Sequence, residues 1–120
     1  MEIGCDICEI KRMEKWVDNS AFLTKHFTEY EINYINSKVN KASTMAGLYS
    51  AKEAVVKALG VGLGNGIALK EIEITHEKTG KPKVEITHKI MNLLIKISSE
   101  DIKISISHDG DYSISYCICY

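Results

Sequence analysis

A chain of 120 residues is sized for one domain, residues 1–120, with a real but modest core. Lys and Arg total 15 against 16 Asp and Glu, a net charge of −1 that gives no global case for nucleic acid or a membrane surface as partner. The N-terminus has neither the apolar run of a secretion signal nor that of a spanning helix, so a soluble cytoplasmic protein is the expectation.

Glu2 to Ile10 reads as a strand carrying Cys5 and Cys8, and Asp6 is out of place in it, because aspartate is depleted from strands. Two explanations stand: a cap or turn former ending the strand, or a carboxylate for a metal. From Ile10 the spacing of Ile10, Met13, Trp16 and Val17 predicts a helix. Lys11, Arg12 and Lys15 fall on a neighbouring face, either simply solvated or suited to an acidic partner. Thr28 with Glu31 fits a capping box, with Phe27 as staple, opening a helix to about Ile35. Asn36 to Lys41 is then a loop, and Ser43 or Thr44 caps the next helix.

Met45 to Gly60 is the most informative stretch. It has no proline, several alanines and a glycine stop, and it reads as a helix. At about 100° per residue, Met45, Tyr49, Val55, Val56 and Leu59 form one apolar arc, and Ala51, Ala54 and Ala58 coat the other side. Such a helix is mostly buried, yet Lys52 falls near the centre of the arc and Glu53 near its edge. Charges there are costly unless paired, bound to a metal or set in a wet cleft. A Glu53–Lys57 ion pair with Lys52 reaching out to water is one reading; a functional carboxylate is the other.

The glycines at 60, 62, 64 and 66 form neither a Walker A loop nor a dinucleotide fingerprint. They serve as a helix stop and linker, or let the backbone approach a ligand closely. Leu69 to His76 and Val84 to Thr87 read as strands joined by a turn at Lys78 to Pro82. That pairing does not set His76 opposite His88, so the repeated EITH is not a metal pair. Ile90 to Ile97 forms a further amphipathic helix. A hairpin ends the chain: Ile102, Ile104 and Ile106 alternate, Asp109-Gly110 suits a tight primed turn, and Tyr112, Ile114, Tyr116 and Ile118 share one face. His108 lies at the mouth of that turn. Cys117 and Cys119 form a C-x-C that, with the C-x2-C at Cys5 and Cys8, matches no standard zinc spacing, so reduced thiols are expected. Mixed helices and strands around a buried helix argue an α+β fold.

Five motifs in order give the chain a resemblance to the small phosphopantetheinyl transferases of the holo-[acyl-carrier-protein] synthase family. They are Gly4-Cys5-Asp6-Ile7-Cys8-Glu9 followed by Arg12, the F-x4-F-T of Phe22 to Thr28, Ala46 to Gly60, Gly80-Lys81-Pro82, and Ser105 to His108. The resemblance implies the phosphopantetheinyl transferase-like fold, with antiparallel strands packed around a long buried helix, and an enzyme of fatty acid and lipid biosynthesis. It implies transfer of 4'-phosphopantetheine from coenzyme A to a serine of apo acyl carrier protein, releasing adenosine 3',5'-bisphosphate. It implies that Asp6 and Glu53 hold Mg2+, that Lys57 reaches the phosphates, and that Asp6, Glu53 and Lys57 carry the reaction. Gly60, Gly62, Pro82 and His108 match positions around the nucleotide and phosphate; Arg12 and its neighbours Lys11, Lys15 and Lys25 match the face that meets the carrier. It also implies a homotrimer with sites between subunits, so that His108 serves a neighbour's site. Two departures stand out: Leu48 and Lys25 occupy positions where the family has arginine. A catalytically silent module binding coenzyme A or the carrier, and a magnesium-dependent nucleotide hydrolase, are the competing expectations.

Overall fold

Asn40 opens the helix that organises the molecule. In the computed structural model, which describes residues 1–62 and 66–120, its side chain accepts from the Ser43 amide at 3.0 Å and starts a helix over Lys41–Leu59. The helix therefore begins four residues before Met45, capped by Asn40 and not by Ser43 or Thr44. At the other end Gly60 adopts φ 71°, and the Val61 amide reaches back to the Val56 carbonyl at 3.3 Å, a Schellman closure that glycine allows without strain.

In chain order the elements are β1 (Glu2–Glu9), α1 (Ile10–Glu14), α2 (Ser20–His26), α3 (Glu29–Asn36), α4 (Lys41–Leu59), a 3-10 turn (Leu69–Glu71), β2 (Ile74–His76), β3 (Pro82–Val84), α5 (His88–Lys96), β4 (Ile102–Asp109) and β5 (Tyr112–Cys119). β1, β5 and β4 form one antiparallel sheet in that order, with Asp6 opposite Ser115 and Ile104 opposite Cys117; β2 and β3 form a separate hairpin. The expected α+β architecture, antiparallel strands against a long buried helix, is the one observed. Among the described residues no helix is long and apolar enough to cross a membrane.

The alanine coat of α4 has a steric purpose. A Cβ on Gly4 would lie 2.0 Å from the Ala54 carbonyl oxygen and 2.6 Å from the Ala58 nitrogen, so β1 and α4 meet backbone to backbone. Along β1 and β5 the side chains buried toward the helix are small, Cys8, Ser113, Ser115, Cys117 and Cys119, while the edge strand β4 buries the larger Ile102 and Ile104 on the same face. The four thiols are free. The Tyr112, Ile114, Tyr116, Ile118 face of the hairpin consequently points away from the helix, with Tyr112 and Tyr116 exposed.

Several elements differ from the sequence expectation for local reasons. The helix from Ile10 ends at Glu14, Trp16 and Val17 lie in the following turn, and α2 then starts from Asn19, whose side chain accepts from the Phe22 amide at 2.9 Å. Leu69 begins a 3-10 turn instead of a strand, and Thr87 caps α5 instead of ending β3. The hairpin turn is Gly110-Asp111, one residue later than expected, since Asp109 still pairs with Tyr112; Gly110 takes φ 57°.

Lys52 does not reach water. It is fully buried, its Nζ 2.5 Å from Glu31 Oε1, and it donates to the carbonyls of His26 at 2.8 Å and Leu69 at 3.1 Å. Glu31 in turn accepts from the amides of Thr28 at 2.8 Å, closing the capping box, and Ile74 at 2.9 Å. Burial pushes the Glu31 carboxyl up and the Lys52 ammonium down, and the attraction of each for the other opposes both shifts. The pair ties α2, α3, β2 and the 3-10 turn to one point on α4.

Candidate active site

Asp6 lies mid-strand, so it is no strand cap. Gly4, Asp6 and Cys8 share the face of β1 turned toward α4, and this aims the Asp6 carboxylate at the last turns of that helix. Lys57 meets it there: its Nζ is 3.1 Å from Asp6 Oδ1 and donates to the Cys5 carbonyl at 3.0 Å. The expected Glu53–Lys57 ion pair is not formed among the described residues, because the nearer strand carboxylate and carbonyl take the ammonium. Glu53, one turn earlier on α4, is half-buried. Burial pushes its carboxyl above the usual range, and the neighbouring Asp6 charge pushes it further. Lys57, Arg12 and, least, the Tyr49 hydroxyl hold it back. Two carboxylates thus stand close enough to repel, with one ammonium and one guanidinium beside them.

Arg12 extends from α1 with its guanidinium 5.8 Å from the centre of the Tyr49 ring. Lys11, Lys15 and Lys25 are exposed on α1, the turn after it and α2. Among the described residues, no group of three or more His, Cys, Asp and Glu is gathered as a ligand set; the oxygen ligands on offer here are Asp6 and Glu53.

A second group of expected residues gathers elsewhere. Pro82 and His108 line a cavity of about 200 Å³ with Tyr34, Gly47, Leu48 and His76. His108 Nε2 is 3.0 Å from the Ser43 carbonyl, which can only accept, so that nitrogen carries the proton. Gly47 makes room for the ring: a Cβ there would sit 3.0 Å from His108 Nε2. Leu48 is buried in the cavity wall. Asp6, Glu53 and Lys57 are not among the lining residues, and Gly47 and Glu53 are six residues, about 9 Å, apart along α4. Within one chain the carboxylate group and the His108 cavity are therefore two separate clusters. Gly60 caps α4, and neither it nor Gly62 is among the residues lining the His108 cavity; Gly64 lies outside the described residues.

Sequence reasoning missed three side chains here. Tyr34 and His76 stack at 3.8 Å on one wall of the cavity, and the contact joins α3 to β2 across elements no local pattern links. Tyr49 reads in the sequence only as part of an apolar arc; its position one turn before Glu53 is the signal that could have found it.

Comparison with known proteins bears on the family and the fold. The family model described as the 4'-phosphopantetheinyl transferase superfamily matches residues 2–117. A holo-[acyl-carrier-protein] synthase of Thermoanaerobacter sp. (strain X514) is 45% identical over 117 residues, covering 97% of this chain and 84% of the relative. One from Clostridium beijerinckii is 41% identical, covering 97% and 94%. The crystal structure of Helicobacter pylori holo-[acyl-carrier-protein] synthase in complex with coenzyme A superposes with a TM-score of 0.85 at 30% identity, covering 98% of this chain and 99% of that one. An aspartate in a strand, a glutamate and a lysine one turn apart on a buried helix, and near-full-length similarity lead to one conclusion: the chain belongs to the 4'-phosphopantetheinyl transferase superfamily.

Proposed function

We propose that this chain is a holo-[acyl-carrier-protein] synthase, transferring 4'-phosphopantetheine from coenzyme A to a serine of apo acyl carrier protein and releasing adenosine 3',5'-bisphosphate. The observation that carries this reading is the convergence of Asp6, Glu53 and Lys57 where β1 crosses the end of α4. The serine oxygen bonds to the phosphorus nearest pantetheine, the pyrophosphate P–O bond breaks, its electron pair leaves with adenosine 3',5'-bisphosphate, and the serine proton passes to water. Negative charge grows on the leaving phosphate, and Lys57, half-exposed and held toward the site by Asp6, is the cation placed to meet it.

The donor set fits magnesium. Two adjacent carboxylates with no third ligand beside them among the described residues suit a hard cation that takes its remaining ligands from phosphate and water. Asp6 and Glu53 would hold it; burial and then the Asp6 charge push the Glu53 carboxyl up, and a cation between the two would offset both. When bound, the ion neutralises phosphate charge and increases the acidity of coordinated oxygen. Arg12, Lys11, Lys15 and Lys25 supply a basic surface for the carrier, and Pro82 and His108 receive the nucleotide end of coenzyme A, with Gly60 and Gly62 beside the phosphates.

The reading includes a homotrimer with shared sites. The outer sheet face exposes Ile3 at 71%, Ile7 at 58% and Tyr116 at 55%, more than scattered surface apolar residues require. A second copy on that face would cover it and bring the His108 half-site of one subunit to the carboxylate half-site of another. Incubation of the protein with coenzyme A, Mg2+ and apo acyl carrier protein tests the reaction: the carrier gains the mass of one phosphopantetheine. No gain with any divalent metal leaves a silent binding module, and coenzyme A cleavage without carrier points to a hydrolase.

A further inference from the structure

The β2–β3 hairpin lies beside the free edge of β4, yet among the described residues no backbone hydrogen bond joins them. Both edges are built to pair. Asp101 and Tyr120 exchange backbone bonds of 3.0 and 2.8 Å, and the alternation of an antiparallel ladder then commits Lys103, Ser105 and Ser107 to β5. The peptide groups of Ile104, Ile106 and His108 point the other way, to the outer edge. On the hairpin, the Glu77 amide donates to the Lys81 carbonyl and the Glu85 amide to the Glu73 carbonyl, each at 2.9 Å. By the same alternation Lys83 belongs to β2, and the Val84 amide and the Pro82 and Val84 carbonyls are turned toward β4. Between the two edges lies a cavity of about 250 Å³, with Pro82, Lys83 and Val84 on one side and Ile102, Lys103 and Ile104 on the other.

This seam runs into the His108 cavity. His76, Gly80 and Pro82 of the hairpin line that cavity together with Ile106 and His108 of β4, so its width depends on how closely the hairpin approaches the strand. Three residues per strand make a hairpin that does not hold its shape alone in water. Its fixed side is at α3, where Glu31 accepts from the Ile74 amide at 2.9 Å and Tyr34 stacks on His76 at 3.8 Å. Its tip, Lys78 to Lys81, is exposed.

We propose that the hairpin is a lid: a nucleoside 3',5'-bisphosphate filling the His108 cavity draws β3 onto β4, and the two edges pair into one sheet. The proposal rests on the transferase reading for the occupant, the nucleotide end of coenzyme A, and adds how the site closes on it. The contacts of the nucleotide with the cavity and the backbone bonds of the seam both favour the closed state, so each strengthens the other. Closure also covers a strand edge that is otherwise open to any extended chain.

Val84 and Ile104 report on the seam, because neither lines the His108 cavity. Amide hydrogen exchange of the protein is followed residue by residue by NMR with and without saturating adenosine 3',5'-bisphosphate, whose binding is measured by calorimetry in the same buffer. With nucleotide bound, the Val84 and Ile104 amides should exchange about tenfold or more slowly, while the amide of Lys89, in the unpaired first turn of α5, stays within about twofold. Val84→Pro removes the amide that β3 offers to β4 and none that pairs with β2, so the Kd for adenosine 3',5'-bisphosphate should rise about fivefold. Bound nucleotide with unchanged exchange at Val84 and Ile104 overturns the lid, and that measurement on the unmodified protein decides even where Val84→Pro does not fold. Equal slowing at Lys89, or an unchanged Kd in a Val84→Pro variant that melts cooperatively, also overturns it. Any of these results with transfer to the carrier still observed leaves the transferase reading standing. A protein that neither binds the nucleotide nor transfers overturns the lid and that reading together.

Discussion

Lys52 and Glu53 are adjacent in sequence and opposite in purpose. Lys52 is fully buried with every ammonium proton used, by Glu31 and two carbonyls, and it is a structural peg. Removing one partner of such a pair strands the other, so Lys52→Met should cost about 3–5 kcal/mol in urea unfolding. Lys52→Met combined with Glu31→Gln should cost less than Lys52→Met alone, because no uncompensated charge remains; a larger loss in the double variant would show that the Glu31 hydrogen bonds to Thr28 and Ile74 outweigh its charge. Histidine sets a second residue-scale expectation. Burial depresses both His26 and His76, helped by the charges of Lys25 and Lys52 at the first and Lys38 at the second. The unfolded chain then binds more protons below its pKa of 6.5, and stability present above that pH is lost as pH falls toward the folded values. The thermal midpoint should drop on acidification through that window, with a shallower slope in His26→Gln/His76→Gln; equal slopes would remove these two histidines from the account.

At the scale of elements, the contact between β1 and α4 decides where the site forms. Gly4 lets the strand lie against the Ala54 and Ala58 backbone, and that proximity brings Asp6 within reach of Lys57. Gly4→Ala must push strand and helix apart, costing about 1–3 kcal/mol or more by overpacking, and activity should fall further than stability alone explains. A variant with full activity at lowered melting temperature would show that the site tolerates the shift. This contact also marks what was legible in the sequence. Asp6 stood out because a strand had no use for it, and the hairpin and capping box followed from local chemistry. Two things were not legible: that the buried face of β5 is the serine–cysteine face and not the tyrosine–isoleucine face, and that the partner of Lys52 is Glu31. Each depends on how closely distant segments approach, and neither hydrophobic periodicity nor residue spacing carries that distance.

For the whole molecule, the proposed sharing of sites between subunits would make assembly part of the chemistry. Ile7→Lys on the outer sheet face should lower the mass seen by light scattering and abolish transfer together. Mixing the inactive variants Glu53→Gln and His108→Ala after subunit exchange should restore part of the activity, since some shared sites then combine an intact half from each; no recovery despite exchange would place each complete site within one chain. The most direct test of the account concerns Glu53. Apo acyl carrier protein, coenzyme A and Mg2+ are incubated with the unmodified protein or with Glu53→Gln, and the carrier is weighed by mass spectrometry after each melting temperature has been taken. The account predicts one phosphopantetheine added by the unmodified protein, and none by a Glu53→Gln variant that melts like it. Transfer surviving in Glu53→Gln would contradict it and return Glu53 to the role of a structural charge.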